Sequence, residues 1–160
     1  MTSNFPKIAV AIIAVAVIGG VYYFTTKKAP PLNDGDMKKE EGALLVGAAA
    51  PLIDFNKEDY DKALKENKKI LLYFYANWCP LCKAEQPKTF AAFNELNDPD
   101  LVGFRVDYKD GNDDDKEKSL AKEFGVAYQH TKVLLKDGQR VNKWPDSWDK
   151  QRYLDELRKI

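Results

Sequence analysis

Apolar and polar positions change rhythm several times along this chain. Residues 8–24 read IAVAIIAVAVIGGVYYF, an uncharged run bounded by Lys7 on one side and Lys27 and Lys28 on the other. Residues 25–51 mix Pro, Gly, Ala and charge without a sustained period, the pattern of a tether. Periodic segments then begin. Residues 58–66 place Tyr60, Ala63 and Leu64 on one side of a helix, and 70–76 form an apolar run that predicts a buried strand. Residues 83–96 predict a helix carrying Phe90, Phe93 and Leu96, with Pro87 inside it predicting a kink. A second strand is predicted at 101–106, a charged loop at 107–118 and a short helix at 119–124 stopped by Gly125. Segments 131–135 and 140–144 flank Lys136-Asp137-Gly138-Gln139, whose Asp-Gly pair predicts a β-hairpin. A last amphipathic helix, 148–159, presents Trp148, Tyr153, Leu154 and Leu157. No internal repeat is present. This order predicts one α/β sandwich around a mixed sheet, spanning 52–160.

The N-terminal run has a different destination. Its 17 residues, as a helix rising about 1.5 Å per residue, span about 26 Å, slightly less than a roughly 30 Å hydrocarbon core, and the flanking lysines can snorkel. Tyr22, Tyr23 and Phe24 at its end are the aromatics of a membrane–water interface. A cleaved signal peptide fits less well, because the polar start carries only Lys7 and the α-amino group and no clean small-x-small site follows. The expectation is therefore a flank at 1–7, a single-pass anchor at 8–24, a tether at 25–51 and the α/β domain beyond. The lysines after the run favour a cytoplasmic domain by the positive-inside rule. The extracytoplasmic side is nonetheless the expectation, since a soluble domain in the cytosol has no evident need of an anchor and Glu40 and Glu41 make the flank mixed.

Charge narrows the partners. With 25 basic and 25 acidic side chains the formal net charge is zero, so the electrostatic footprint of a nucleic-acid binder is missing. The acidic run Asp113-Asp114-Asp115 reads as a solvated loop, because three adjacent side chains do not face one ion.

The chemistry concentrates in Tyr73-Phe74-Tyr75-Ala76-Asn77-Trp78-Cys79-Pro80-Leu81-Cys82-Lys83, which holds the chain's only two cysteines. A bridge closing so short a loop constrains the unfolded chain little, so a purely stabilising disulfide is a weak explanation. A strand feeding a C-x-x-C pair at a helix start is a strong one. Unpaired N–H groups and the partial positive charge of the first turn favour a thiolate, making Cys79 the expected nucleophile and the more interior Cys82 the resolving thiol. Pro80 suits the first turn, where its missing N–H costs little, and Leu81 adds no charge.

Trp-Cys-Pro-Leu-Cys after an apolar strand, Pro87 five residues beyond Cys82, and the later strand, Lys136-Asp137-Gly138 turn and strand resemble the thioredoxin superfamily over residues 53–160. Tyr75-Ala76-Asn77-Trp78-Cys79, followed by Thr89-Phe90, is most similar to the thioredoxin-like domains of membrane-bound disulfide reductases. The resemblance implies a three-layer α/β/α sandwich and a protein-disulfide oxidoreductase. It also implies protein disulfide or dithiol substrates, a separate redox-recycling partner, and no cofactor beyond the Cys79–Cys82 disulfide. The active-site neighbours it implies are Trp78, Pro80, Leu81, Tyr73, His130 and Thr131. Two positions depart from the family. Its buried Asp, six residues before the first cysteine, is Tyr73 here, so the family's proton acceptor is missing. Its cis-proline position is His130, in a stretch with no proline between Pro99 and Pro145.

His130, the only histidine, is expected beside Cys79, where an imidazolium would stabilise a thiolate; a loop histidine with no catalytic part is the competing reading. Cys79, Cys82 and His130 are the chain's only Cys and His residues, too few for a closed four-ligand zinc site, so no metal is expected within one chain. A metal or iron–sulfur centre shared between two chains through these residues stays open. So does a binding or chaperone module that keeps the fold without turnover.

Overall fold

The computed structural model describes residues 42–160. The flank at 1–7, the anchor expected at 8–24 and the tether up to residue 41 lie outside the described residues. Among the described residues no helix is long and apolar enough to cross a membrane.

Six strands form one mixed sheet. They are β1 (Leu44–Val46), β2 (Leu52–Asp54), β3 (Lys69–Tyr75), β4 (Leu101–Asp107), β5 (Thr131–Lys136) and β6 (Gln139–Trp144), in the spatial order β1-β2-β4-β3-β5-β6. β2, β4 and β3 are parallel neighbours, while β5 runs antiparallel to β3, β6 to β5 and β1 to β2. Four helices accompany them: α1 (Lys57–Lys65), α2 (Pro80–Glu95), α3 (Asp115–Glu123) and α4 (Lys150–Arg158).

The period-two alternation of β3 divides the core. Ile70, Leu72 and Phe74 pack with Tyr60 and Ala63 of α1 and Leu120 and Ala121 of α3. Leu71 points to the other face, among Ala92 and Phe93 of α2 and Tyr153, Leu154 and Leu157 of α4. Both faces of β3 are covered, which is why it reads as a continuous apolar run rather than an alternating one. Fully burying a side chain such as Phe93 contributes roughly 1.5–3 kcal/mol. Close approach of α2 depends on Gly103 in β4, where a Cβ would sit 2.5 Å from Phe93 Cζ and 2.7 Å from Leu52 Cδ1.

Several boundaries differ from the expectation for physical reasons. The stretch read as tether up to residue 51 contributes β1, whose Leu44 and Val46 register with Ile53 and Leu52. The charged loop gives way to α3 four residues before 119, because Asp114 and Glu117 form a capping box, each side chain accepting from the other's backbone N–H. α2 begins at Pro80 and continues through Pro87. The hairpin forms as predicted, with Asp137 and Gly138 both at positive φ (52° and 69°), the combination a tight two-residue turn requires.

Candidate active site

β3 delivers the chain to the site, and α2 starts on it. Cys79 is the N-cap of α2 (φ −77°, ψ 115°), with Pro80 at the first helical position. The Cys82 backbone N–H donates to Cys79 Sγ at 3.2 Å, so the sulfur takes the place of the usual capping oxygen. Both cysteines are free thiols. Cys79 keeps 3% of its surface and Cys82 none. The Cys82 thiol is pushed up to about 12, first by burial and then by its hydrogen bond with Cys79.

The implied neighbours fall around this pair. Trp78 is half exposed, its Nε1 donating to the Lys109 carbonyl at 2.9 Å, while Asn77 N–H donates to Asp110 Oδ2 at 3.2 Å. The loop after β4 therefore braces the turn that presents Cys79. Pro80 and Leu81 are exposed. Thr131 is buried at the start of β5, registers with Phe74, and donates its hydroxyl to the Tyr128 carbonyl at 2.8 Å. Tyr73 is buried under the pair, its hydroxyl 3.5 Å from the Cys82 carbonyl, and burial pushes its phenol well up.

His130 occupies its position in an uncommon backbone conformation, φ +71°, the left-handed region that residues other than glycine seldom adopt. Its N–H donates to the Phe74 carbonyl at 2.6 Å, a bond that a proline, lacking the donor, could not make. An imidazole nitrogen of His130 and the two sulfurs all lie within 4.8 Å of one another. The histidine therefore lies beside the thiols.

The sequence reading missed the buried polar cluster behind the thiols. Glu85, on α2 one turn beyond Cys82, is 1% exposed. Its Oε1 accepts from Tyr153 Oη at 2.6 Å and lies 2.5 Å from Lys132 Nζ, while its Oε2 lies 2.8 Å from His130 Nε2. Burial alone would raise the Glu85 carboxyl, but the His130, Lys132 and Tyr153 donors hold it below its ordinary value. Lys132, fully buried on β5, registers with Tyr73 and also donates to the Asp146 carbonyl at 2.6 Å. Burial pulls its ammonium down and Glu85 opposes. Nζ lies 5.4, 5.5 and 5.9 Å from the rings of Tyr73, Trp148 and Tyr153, so aromatic faces replace part of its lost hydration. A buried carboxylate thus stands on the helix, where position 73 on the strand carries a tyrosine. One signal was available: Glu85 follows Cys82 by three residues and so shares its helix face.

Comparison with known proteins agrees with this architecture. The family model for thioredoxin matches residues 51–159. The chain belongs to the thioredoxin family. Among its relatives, thioredoxin H4 of Arabidopsis thaliana is 38% identical over 86 residues, 52% of this chain and 64% of that one. Protein disulfide isomerase-like 2-2 of Oryza sativa subsp. japonica is 36% identical over 119 residues, 72% of this chain and 29% of that one. The match thus spans less than two thirds of these thioredoxin-family relatives' own lengths. Among solved structures, thioredoxin from Aeropyrum pernix superposes with a TM-score of 0.57 at 21% identity, covering 75% of this chain and 94% of that one, a likeness of fold. Thioredoxin NaTrxh from Nicotiana alata superposes with a TM-score of 0.53 at 26% identity, covering 74% and 97%.

Proposed function

We propose that this chain is a thiol–disulfide oxidoreductase acting on protein disulfides and dithiols, with Cys79 attacking and Cys82 resolving. The observation that carries the reading is the asymmetry of the pair. Cys79 caps a helix, accepts an N–H hydrogen bond and keeps a sliver of surface, whereas Cys82 is sealed. The Cys79 thiolate attacks one sulfur of a substrate disulfide, forming a mixed disulfide and expelling the other sulfur as a thiolate. Cys82, deprotonated, then attacks Cys79 Sγ; the Cys79–Cys82 disulfide forms, the substrate leaves as a second thiolate, and two electrons have passed to it. The reverse sequence oxidises a dithiol. The chemistry needs no cofactor beyond the dithiol itself, and a second dithiol protein resets it.

Exposed apolar side chains support a protein substrate. Trp78, Leu81 and Tyr128 are 52%, 59% and 70% exposed, and each lies within two residues of Cys79 or His130 in sequence, a surface suited to an extended peptide beside its disulfide. The test is insulin reduction with dithiothreitol as the reductant. Wild type accelerates precipitation, Cys79→Ser abolishes the acceleration, and Cys82→Ser accumulates a mixed disulfide. Acceleration surviving in Cys79→Ser would overturn the assignment. The Cys79–Cys82 potential in glutathione buffers sets direction: near or below about −230 mV for a reductase, near −120 mV for an oxidase.

A further inference from the structure

The same three buried residues carry a second chemistry. The two Sγ atoms and an imidazole nitrogen lie within 4.8 Å of one another in a single chain. Around one zinc ion, with Zn–S about 2.3 Å and Zn–N about 2.0–2.1 Å, tetrahedral donors sit roughly 3.5–3.8 Å apart. Closure therefore asks for side-chain rotations of about 1 Å, not a rearrangement of the fold.

His130 is prepared for this task by its surroundings. Its Nε2 stands 2.7 Å from Ser147 Oγ and 2.8 Å from Glu85 Oε2. A lone pair held that close to a carboxylate would be repelled, so Nε2 carries the hydrogen. In the neutral ring Nδ1 then holds the lone pair, and it is buried with no hydrogen-bond partner. A buried acceptor left unpaired in this way is costly, and a metal–nitrogen bond would satisfy it. Carboxylate, histidine and metal in series is the arrangement by which outer partners fix the tautomer and orientation of a ligating imidazole. The left-handed backbone of His130, φ +71°, is the kind of local strain that persists where surroundings over-determine a functional position.

We propose that the reduced protein binds one Zn²⁺ within a single chain through Cys79 Sγ, Cys82 Sγ and His130 Nδ1, with Glu85 as the positioning carboxylate behind the histidine. Two thiolates and a neutral imidazole carry two negative charges, which a divalent ion neutralises, while Glu85 and Lys132 neutralise each other. Cys₂His with a fourth position left for water is an established zinc donor set, and Cys79 and His130, which keep 3% and 5% of their surface while Cys82 keeps none, mark the side from which that water enters. Metal and disulfide are mutually exclusive, because the electron pairs that bind zinc belong to the sulfurs the disulfide consumes. Zinc binding would hold the pair reduced and out of exchange.

The site is independent of the exchange reading and is tested separately. The reduced, metal-free full chain is titrated with Zn²⁺ against a chromophoric chelator, and with Co²⁺ as a spectroscopic substitute. The expected result is one ion per chain, thiolate-to-cobalt charge transfer with tetrahedral ligand-field bands, and no binding after oxidation. His130→Ala should weaken zinc at least tenfold and change the cobalt spectrum, and Glu85→Gln should weaken it 10–100-fold. Circular dichroism confirms that each variant is folded, and the Cys79→Ser chain serves as the single-thiol control. The proposal is overturned by no binding to the reduced wild type, by one ion per two chains, or by a folded His130→Ala chain that binds zinc as wild type does. Failure here leaves insulin reduction by the metal-free protein untouched, so the two readings fall separately.

Discussion

Glu85 is an ionised side chain sealed at 1% exposure, and the groups that make this tolerable are Lys132, His130 and Tyr153. Removing one member of such a buried pair leaves an uncompensated charge, at about 3–5 kcal/mol, whereas replacing both with apolar groups of similar volume is often neutral. Glu85→Leu and Lys132→Met should therefore each lower unfolding free energy by about that amount, and the double variant should lose markedly less than their sum. Urea unfolding of the four proteins measures it; strict additivity would show that the two charges are not a coupled pair. The cluster also marks where sequence reading ended. Cys79, Cys82 and His130 were legible because sulfur and imidazole are rare in this chain and their spacing has chemical meaning. Glu85 and Lys132 belong to a chain with 50 charged residues, and nothing local separates a buried charge from a solvated one. What buries Lys132 is the placement of β5 between β3 and β6 with helices covering it, a property of the assembled sheet.

At the scale of elements, α3 shows how a short local signal fixes a boundary and brings a titration with it. The Asp-x-x-Glu box at Asp114 and Glu117 starts the helix inside a stretch whose charge reads as loop. Closing the box buries Glu117, which accepts from Asp107 N–H at 3.0 Å and Asp114 N–H at 2.9 Å. Burial pushes its carboxyl up to about 7 from 4.5, with the Asp107 and Asp114 charges adding to it and the two N–H donors opposing. Between those values the folded state holds a proton that the unfolded state has released, so stability is fullest below about pH 4.5 for this group and falls as pH rises to 7. The contribution lost is up to about 3 kcal/mol. Unfolding free energies at pH 5 and pH 7.5 should show this fall in wild type and a much smaller one in Glu117→Gln; an equal slope in both would refute it. The central strands, the hairpin and the terminal helix were legible because each carries a full period of pattern. β1, at three residues, is too short to carry one, and its existence depends on pairing with β2.

For the whole molecule, the two core clusters are assembled from residues 50–157, so the domain carries its own hydrophobic driving force. The apolar run at 8–24 lies outside the described residues. A stretch of 17 uncharged residues exposed to water forfeits roughly 25 cal/mol for each Å2 of apolar surface it leaves unburied, a cost that a bilayer removes. The expected outcome is a single-pass protein with its thiols on the extracytoplasmic side. Expressed in a bacterial host, the full chain should remain in the membrane pellet through alkaline carbonate, and a chain lacking residues 1–24 should be released in folded form. Protease added to intact spheroplasts should remove the domain from the anchored chain. Protection until the membrane is breached would reverse the orientation, as Lys27 and Lys28 beyond the run favour by charge alone. Full release of the intact chain by carbonate would refute the anchor.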